Sequence, residues 1–264
     1  FMSFEHILFT IEQGVATLPL NRPAQLNSFN AQMHKEVREA LKQVRQNPEA
    51  RCLLITGNGR GFCAGQDLSD RNVAPGAAMP DLGESIEKNY NPLIRTLRDL
   101  PMPVVCAVNG VAAGAGANIA LACDITLAAR SASFIQAFCR IGLVPDSGGT
   151  FFLPRLVGTA RAMGLAMLGD RLTAEQAASW GLIWQAIDDA GFAGAVEKLA
   201  AQLAAGPTRG LVAARQAIHA SAANSLAAQL DLERDLQREL GFGADYSEGV
   251  AAFLEKRAPR FTGR

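Results

Sequence analysis

The sequence predicts a single α/β core followed by a helix-rich C-terminal region, and three observations predict it. Short apolar runs alternate with stretches of helical spacing over the first half of the chain. From about residue 147 onward the strand-like runs give way to helices, and three helical stretches follow Pro207. No low-complexity linker or repeat divides the 264 residues, a length that fits one large domain with at most a small appendage. The division expected is a core over 1–200 and a helical region over 201–264.

The elements follow in order. "HILFTIEQGVATLPLN" reads as two β runs around a Glu-Gln-Gly turn, and "NRPAQLNSFN" as a loop. Residues 31–47 place Met33, Val37, Leu41 and Val44 on one helical face. "RCLLITG" is a short buried strand, "NGRGFCAGQDL" a glycine-rich loop, and 84–99 a helix. "PVVCAVNG" is a second buried strand, "AGANIALACD" a helix of small residues, and "ITLAAR" and "SASFIQ" are further strands. Thr173 and Gln176 in "TAEQ" form a capping box that Gly181 closes at the other end, and "LIWQAID" is one more strand.

Composition narrows the function. Hydrophobic residues make up 49% and charged residues 19%, which describes a globular, soluble chain. Acidic and basic residues balance at 25 each, and no basic-aromatic motif occurs, so neither nucleic acid nor an anionic membrane is an expected partner. An anionic ligand would need a local patch. Cys52, Cys63, Cys106, Cys123 and Cys139 form no CxxC, and His6, His34 and His219 make no motif with them. Reduced buried thiols in a cytoplasmic protein are therefore expected, with no metal site. "FMSFEHILFT" lacks the basic and then apolar pattern of a secretion signal. Leu100–Cys123 carries no charge, but its prolines, asparagines and glycines fit a strand, a loop and a buried helix better than a membrane span.

Three stretches carry chemistry. In "GRGFCAGQDL", closely spaced glycines permit close approach of a ligand to the main chain, and the N–H of Gln66 is a candidate outward donor; an ordinary βα loop is the plain alternative. No GK[ST] follows, so it is not a phosphate loop. In "NGVAAGAGANIALACD" a helix beginning near Gly114 or Ala115 would present unpaired N–H groups at its positive end, able to hold a developing oxyanion; tight packing uses the same small residues. G-x-G-x-x-G is absent. In "IGLVPDSGGT" one carboxylate, Asp146, lies between an apolar run and two glycines, where it is either a helix cap or an acid/base.

"NRPAQLNSF", "GFCAGQDL", "NGVAAGAGANIALACDI" and "IGLVPDSGGT", in this order, resemble the crotonase (enoyl-CoA hydratase/isomerase) superfamily from near one end of the chain to the other. The resemblance implies a spiral of ββα turns with C-terminal helices that trimerise, and trimers that pair into hexamers. It implies an acyl-CoA thioester substrate, with coenzyme A part of that substrate and no separate cofactor. It carries the oxyanion donors onto the N–H groups of Gln66 and Ala115, where Ala115 replaces a glycine common in relatives. The two glutamates of the family's hydratases fall on Asn118 and Phe138, neither of which moves a proton, so hydration is disfavoured. A carboxylate at the position of Asp146 is the base in several of the family's isomerases. Burial among Phe134, Phe138 and Val144 is expected to raise its pKa.

The resemblance lays the coenzyme A path along Arg22, Gln25 and Leu26, with Ala64, Asp67 and Leu68, completed by Phe253 and Lys256, the latter two from a neighbouring subunit. "NVAPGAAMPDLGESIEKNY" is expected to cover the acyl pocket as a mobile lid, with Tyr90 facing the ring or packed in the core and Glu84 and Glu87 solvated. "LNRPAQLNSFN", "GRGFCAGQDLSDRNV", "AVNGVAAGAGA" and "DLERDLQREL" resemble, more narrowly, the branch that isomerises ring-epoxidised aromatic CoA thioesters to oxepins. The alternatives are a Δ3,Δ2-enoyl-CoA isomerase, an enoyl-CoA hydratase, or a non-catalytic acyl-CoA-binding scaffold.

Overall fold

A computed structural model describes residues 4–70 and 81–264. Strands β1 (Thr10–Glu12), β2 (Val15–Leu20), β3 (Cys52–Gly57), β4 (Gly61–Cys63), β5 (Val104–Val108), β6 (Val111–Ala113), β7 (Ile125–Ala129), β8 (Ser133–Ile135), β9 (Arg171–Thr173) and β10 (Gln185–Ile187) divide between two sheets. One has the order β1-β2-β3-β5-β7-β10 and the other β4-β6-β8-β9. Three times in succession the chain lays one strand in the first sheet and the next in the second: β3 then β4, β5 then β6, β7 then β8. The repeated pairings are parallel, so each turn advances the chain by one position along both sheets. This is the ββα spiral.

Helices join the turns. They are α1 (Ala31–Gln46), α2 (Leu82–Ser85), which runs through a π-helical turn over 86–90 into α3 (Asn91–Asp99), α4 (Ala115–Ala122), α5 (Gly149–Leu168), α6 (Ala174–Ser179), α7 (Asp189–Ala205), α8 (Thr208–Ser221), α9 (Leu226–Gly241) and α10 (Ala244–Glu255). In α1 the Asn30 side chain accepts from the Met33 N–H at 2.9 Å, which satisfies one orphan donor of the first turn. Met33, Val37, Leu41 and Val44 then bury one face against the core, each contributing about 1.5–3 kcal/mol by leaving water. A charge at Val37 would break that face. The Thr173–Gln176 capping box forms as the sequence predicts, and Gly181 closes the turn at φ +78°.

Strand β5 is buried along its whole length, and α4 is buried on every side, which accounts for the uncharged stretch from Leu100 to Cys123. Helix α5 is long and apolar enough to cross a membrane by length and composition. Gly158, at φ +78° and ψ 161°, breaks it into two shorter pieces that fall well under the roughly 20 residues a span requires. Helix α8 is tied to the core through Arg215, whose guanidinium donates to Met102 O (3.0 Å), to Asp124 Oδ2 (3.1 Å) and to Leu100 O. Beyond it, α9 and α10 carry exposed Leu226, Leu230, Tyr246, Phe253 and Leu254.

Candidate active site

The first loop of the site leaves β4 at Cys63. Phe29 bridges it: the Phe29 N–H donates to Gly65 O at 2.7 Å and the Asp67 N–H donates to Phe29 O at 2.9 Å. The Gln66 N–H lies between these bonds and faces the opposite way, with no acceptor among the described residues. Asn27, fully buried, holds the base of the loop by donating to Gly61 O (2.8 Å) and Asn58 O (3.0 Å). Asn109 ties in the next spiral turn by donating to Gly59 O at 2.8 Å and accepting from the Gly57 N–H at 3.1 Å.

The second loop follows β6. Gly114 caps α4 at φ +53° and its N–H is used on Ile135 O. The Ala115 N–H is then the first of the helix, at the positive end of its dipole, and has no acceptor among the described residues. Gly65, at φ +89°, lets the loops meet: a Cβ there would stand 2.9 Å from Ala113 O and 3.3 Å from Ala115 N. Two N–H groups without an acceptor among the described residues are thereby brought near each other.

Asp146 completes the wall. Gln66, Ala115 and Asp146 line one cavity of about 290 Å³, together with Leu68, Leu82, Ile86, Phe138, Leu143 and Val144. Asp146 is the only acidic residue among its described lining residues. Its side chain is half-buried and accepts from the Ser147 hydroxyl at 2.9 Å. It is no helix cap: α5 begins only at Gly149, and its cap, Gly148, makes no side-chain bond. The surroundings differ from the predicted ones. Val144 is 71% exposed, and Phe134 packs within the second sheet opposite Leu172, so of the three apolar residues named in advance only Phe138 is a buried neighbour on this cavity.

The two positions that the resemblance assigns to hydratase glutamates have different fates. Phe138 lines the cavity. Asn118 is fully buried; its Nδ2 donates to Asp146 O at 2.8 Å and its Oδ1 accepts from Gln136 Nε2 at 2.8 Å. Neither supplies a proton.

The remaining named residues are not all gathered here. Ala64 and Leu68 line the cavity, and Gln25 is exposed on the loop beside it. Leu26 lies against Gly61, where a Cβ would meet its Cδ2 at 3.0 Å, and its carbonyl accepts from the Ala64 N–H at 2.9 Å. Arg22 and Asp67 face each other at 2.9 Å with side chains 13% and 11% exposed, and Arg22 also donates to Ser28 O at 2.6 Å. Their charges clip two loops together rather than lying open to a phosphate. Phe253 lines a separate cavity of about 440 Å³ between α8, α9 and α10, and Lys256 ends α10. Tyr90 is buried and its hydroxyl donates to Gln66 Oε1 at 3.0 Å. Glu84 and Glu87 are exposed and pair with Lys88 and Arg95. Residues 72–80 of the expected lid lie outside the described residues.

Sequence reading missed Asn27, Asn109 and the contact of Asn118, which fix the loops, and the exposed Arg140 on the cavity. Asparagines inside "NRPAQLN" and "VNG" were the available signal, because short amides next to glycines bond to nearby backbone. Cys63 lies beneath the site with its thiol pushed up to about 12 by burial, and so is no nucleophile. No group of three or more metal-ligating side chains occurs among the described residues.

Comparison with known proteins matches residues 10–264 to the family described as enoyl-CoA hydratase/isomerase. The chain is 60% identical over 260 residues to the 1,2-epoxyphenylacetyl-CoA isomerase of Escherichia coli K12, covering 98% of this chain and 99% of that protein. It is 50% identical over 263 residues to a Rhodobacter capsulatus protein named "Probable enoyl-CoA hydratase", covering all of both. The crystal structure of an enoyl-CoA hydratase from Polaromonas sp. JS666 superposes with a TM-score of 0.87 at 34% identity, over 97% of this chain and 99% of that one.

Proposed function

The chain belongs to the enoyl-CoA hydratase/isomerase family, and from that premise we propose that it is an acyl-CoA isomerase that converts 1,2-epoxyphenylacetyl-CoA to its oxepin isomer. The observation that carries this reading is Asp146, the one acidic residue among the described residues lining a cavity that also presents the Gln66 and Ala115 N–H groups, while Asn118 and Phe138 stand at the hydratase positions. The thioester oxygen faces the two N–H groups. Negative charge on that oxygen is stabilised as an α-hydrogen leaves, and one such donor contributes about 3 kcal/mol of barrier lowering. Asp146 takes the hydrogen from the α-carbon and delivers it to a carbon of the former ring, so that a double bond shifts with no net change of atoms and one carboxylate serves as both base and acid. In the epoxide, the C–C bond shared by the three- and six-membered rings breaks, leaving a seven-membered ring that contains the oxygen, with no atom gained or lost. Leu82, Ile86, Phe138 and Leu143 give the ring an apolar seat.

Coenzyme A itself runs past Ala64 and Leu68 toward Gln25, along a loop whose shape the Arg22–Asp67 pair maintains. Phe253 and Lys256 reach it from a neighbouring copy, in a homotrimer that pairs into a hexamer. The exposed apolar side chains of α9 and α10 support such an assembly. On this reading the reaction serves phenylacetate breakdown and the protein works in the cytoplasm, a proposal that the five free cysteines support because they suit a reducing compartment.

The test is incubation with enzymatically generated 1,2-epoxyphenylacetyl-CoA, with products followed by mass-resolved chromatography beside Asp146→Asn. A product of unchanged mass and new retention, absent with the variant, supports the reading. Turnover of a Δ3-enoyl-CoA alone moves the assignment to double-bond isomerisation, and turnover of neither revives a binding scaffold.

A further inference from the structure

Resting on the reading of Asp146 as the acid/base, we infer that Asn118 is a positioning residue that fixes the base relative to the oxyanion donors. Asn118 stands on α4, three residues after Ala115, whose N–H opens that helix. One short rigid element therefore carries an oxyanion donor at its start and, at 2.8 Å, the hydrogen bond to the Asp146 carbonyl.

The amide of Asn118 can act in one orientation only. Its Oδ1 accepts from Gln136 Nε2, so its Nδ2 is the atom turned to the Asp146 carbonyl; the opposite rotamer would set two carbonyl oxygens against each other. The same Asp146 carbonyl accepts from the Gly149 N–H at 2.8 Å. Between these residues the backbone takes an uncommon path, with Ser147 at φ +51° and Gly148 at φ +80°. A non-glycine residue in the left-handed region needs support from its surroundings, and the Asn118 bond supplies it from a separate element. Ser147, held in this way, turns its hydroxyl onto Asp146 Oδ1. The fit is close: a Cβ on Gly149 would stand 2.4 Å from Asn118 Nδ2. A position that serves proton transfer in the family's hydratases thus serves geometry here, and a longer glutamate in its place would push the 146–149 loop away.

The test compares Asn118→Asp, which keeps the shape and loses the donor, Asn118→Ala, and Asp146→Asn. Gly149→Ala presses on the same contact from the loop side and serves where an Asn118 variant does not fold. Each is assayed on 1,2-epoxyphenylacetyl-CoA and on a Δ3-enoyl-CoA, with rates normalised to acyl-CoA-binding sites by calorimetry. The expected result is kcat lowered about 30- to 100-fold in the folded Asn118 variants with KM within about threefold, as displacement of a catalytic group by roughly 1 Å predicts. An unchanged kcat per binding site beside an inactive Asp146→Asn overturns the role of Asn118 while leaving that of Asp146 intact. Full activity of Asp146→Asn overturns both.

Discussion

Gly65 lies against the start of the helix that Ala115 opens, close enough that a methyl group on it would reach within 3.3 Å of the Ala115 nitrogen and 2.9 Å of the Ala113 oxygen. The Gln66 and Ala115 N–H groups, the proposed oxyanion donors, come close because nothing larger than hydrogen separates their loops. Gly65→Ala must also hold φ at +89°, where an L side chain is strained. Moving one donor out of line is expected to lower kcat about 100-fold or more. Steady-state kinetics with unfolding measured in parallel checks this, since a folded, fully active variant would contradict the shared geometry.

The Arg22–Asp67 pair predicts a stability effect. With both side chains largely buried, Arg22→Ala strands a carboxylate that, among the described residues, keeps only its bonds from Ser69. The cost is expected to be about 3 kcal/mol, read as a lower urea midpoint at pH 7. The Ser69 hydroxyl, followed by Arg22, holds the Asp67 carboxyl below its usual range. That contribution is present above the unfolded-state pKa and is lost as pH falls through the lower folded one.

His34 predicts a pH dependence of the opposite origin. Burial, with a smaller contribution from Arg38, lowers its pKa from 6.5 to about 4. Its ring meets Tyr90 edge-on at 4.5 Å, and its Nε2 has no partner among the described residues. Between those pH values the unfolded chain binds a proton that the folded chain refuses, so stability rises with pH from about 4 to 6.5. The full span is about 3 kcal/mol. Denaturant unfolding of His34→Phe should show a flatter slope across this window than the parent chain; equal slopes would contradict the account.

Much of the fold was legible because the long elements announce their period. Met33, Val37, Leu41 and Val44 mark α1 unaided, and the fully apolar β5 and the apolar start of β3 mark the sheet. Strands β4, β6 and β9 were not predicted: three residues each carry no period, and cross-strand pairing creates them. At the site, Gln66, Ala115 and Asp146 were nameable because backbone donors beside glycines and a lone carboxylate in an apolar run are local features. The partner of Asn118 lies 28 residues away and that of Arg22 lies 45 away, so no local pattern records either contact. Val144 is exposed although its apolar neighbours in the sequence predict burial, because local composition does not show which side of a loop faces solvent.

Asp146 is proposed to remove the α-hydrogen of a thioester held by the Gln66 and Ala115 N–H groups. Phenylacetyl-CoA in deuterium oxide isolates that step, since it has the α-hydrogens and no epoxide. Mass spectrometry of the recovered thioester should show deuterium entering the α-position with the parent protein, and entry slowed at least about 100-fold with Asp146→Asn while the thioester still binds. Exchange at the parent rate in Asp146→Asn would contradict the account.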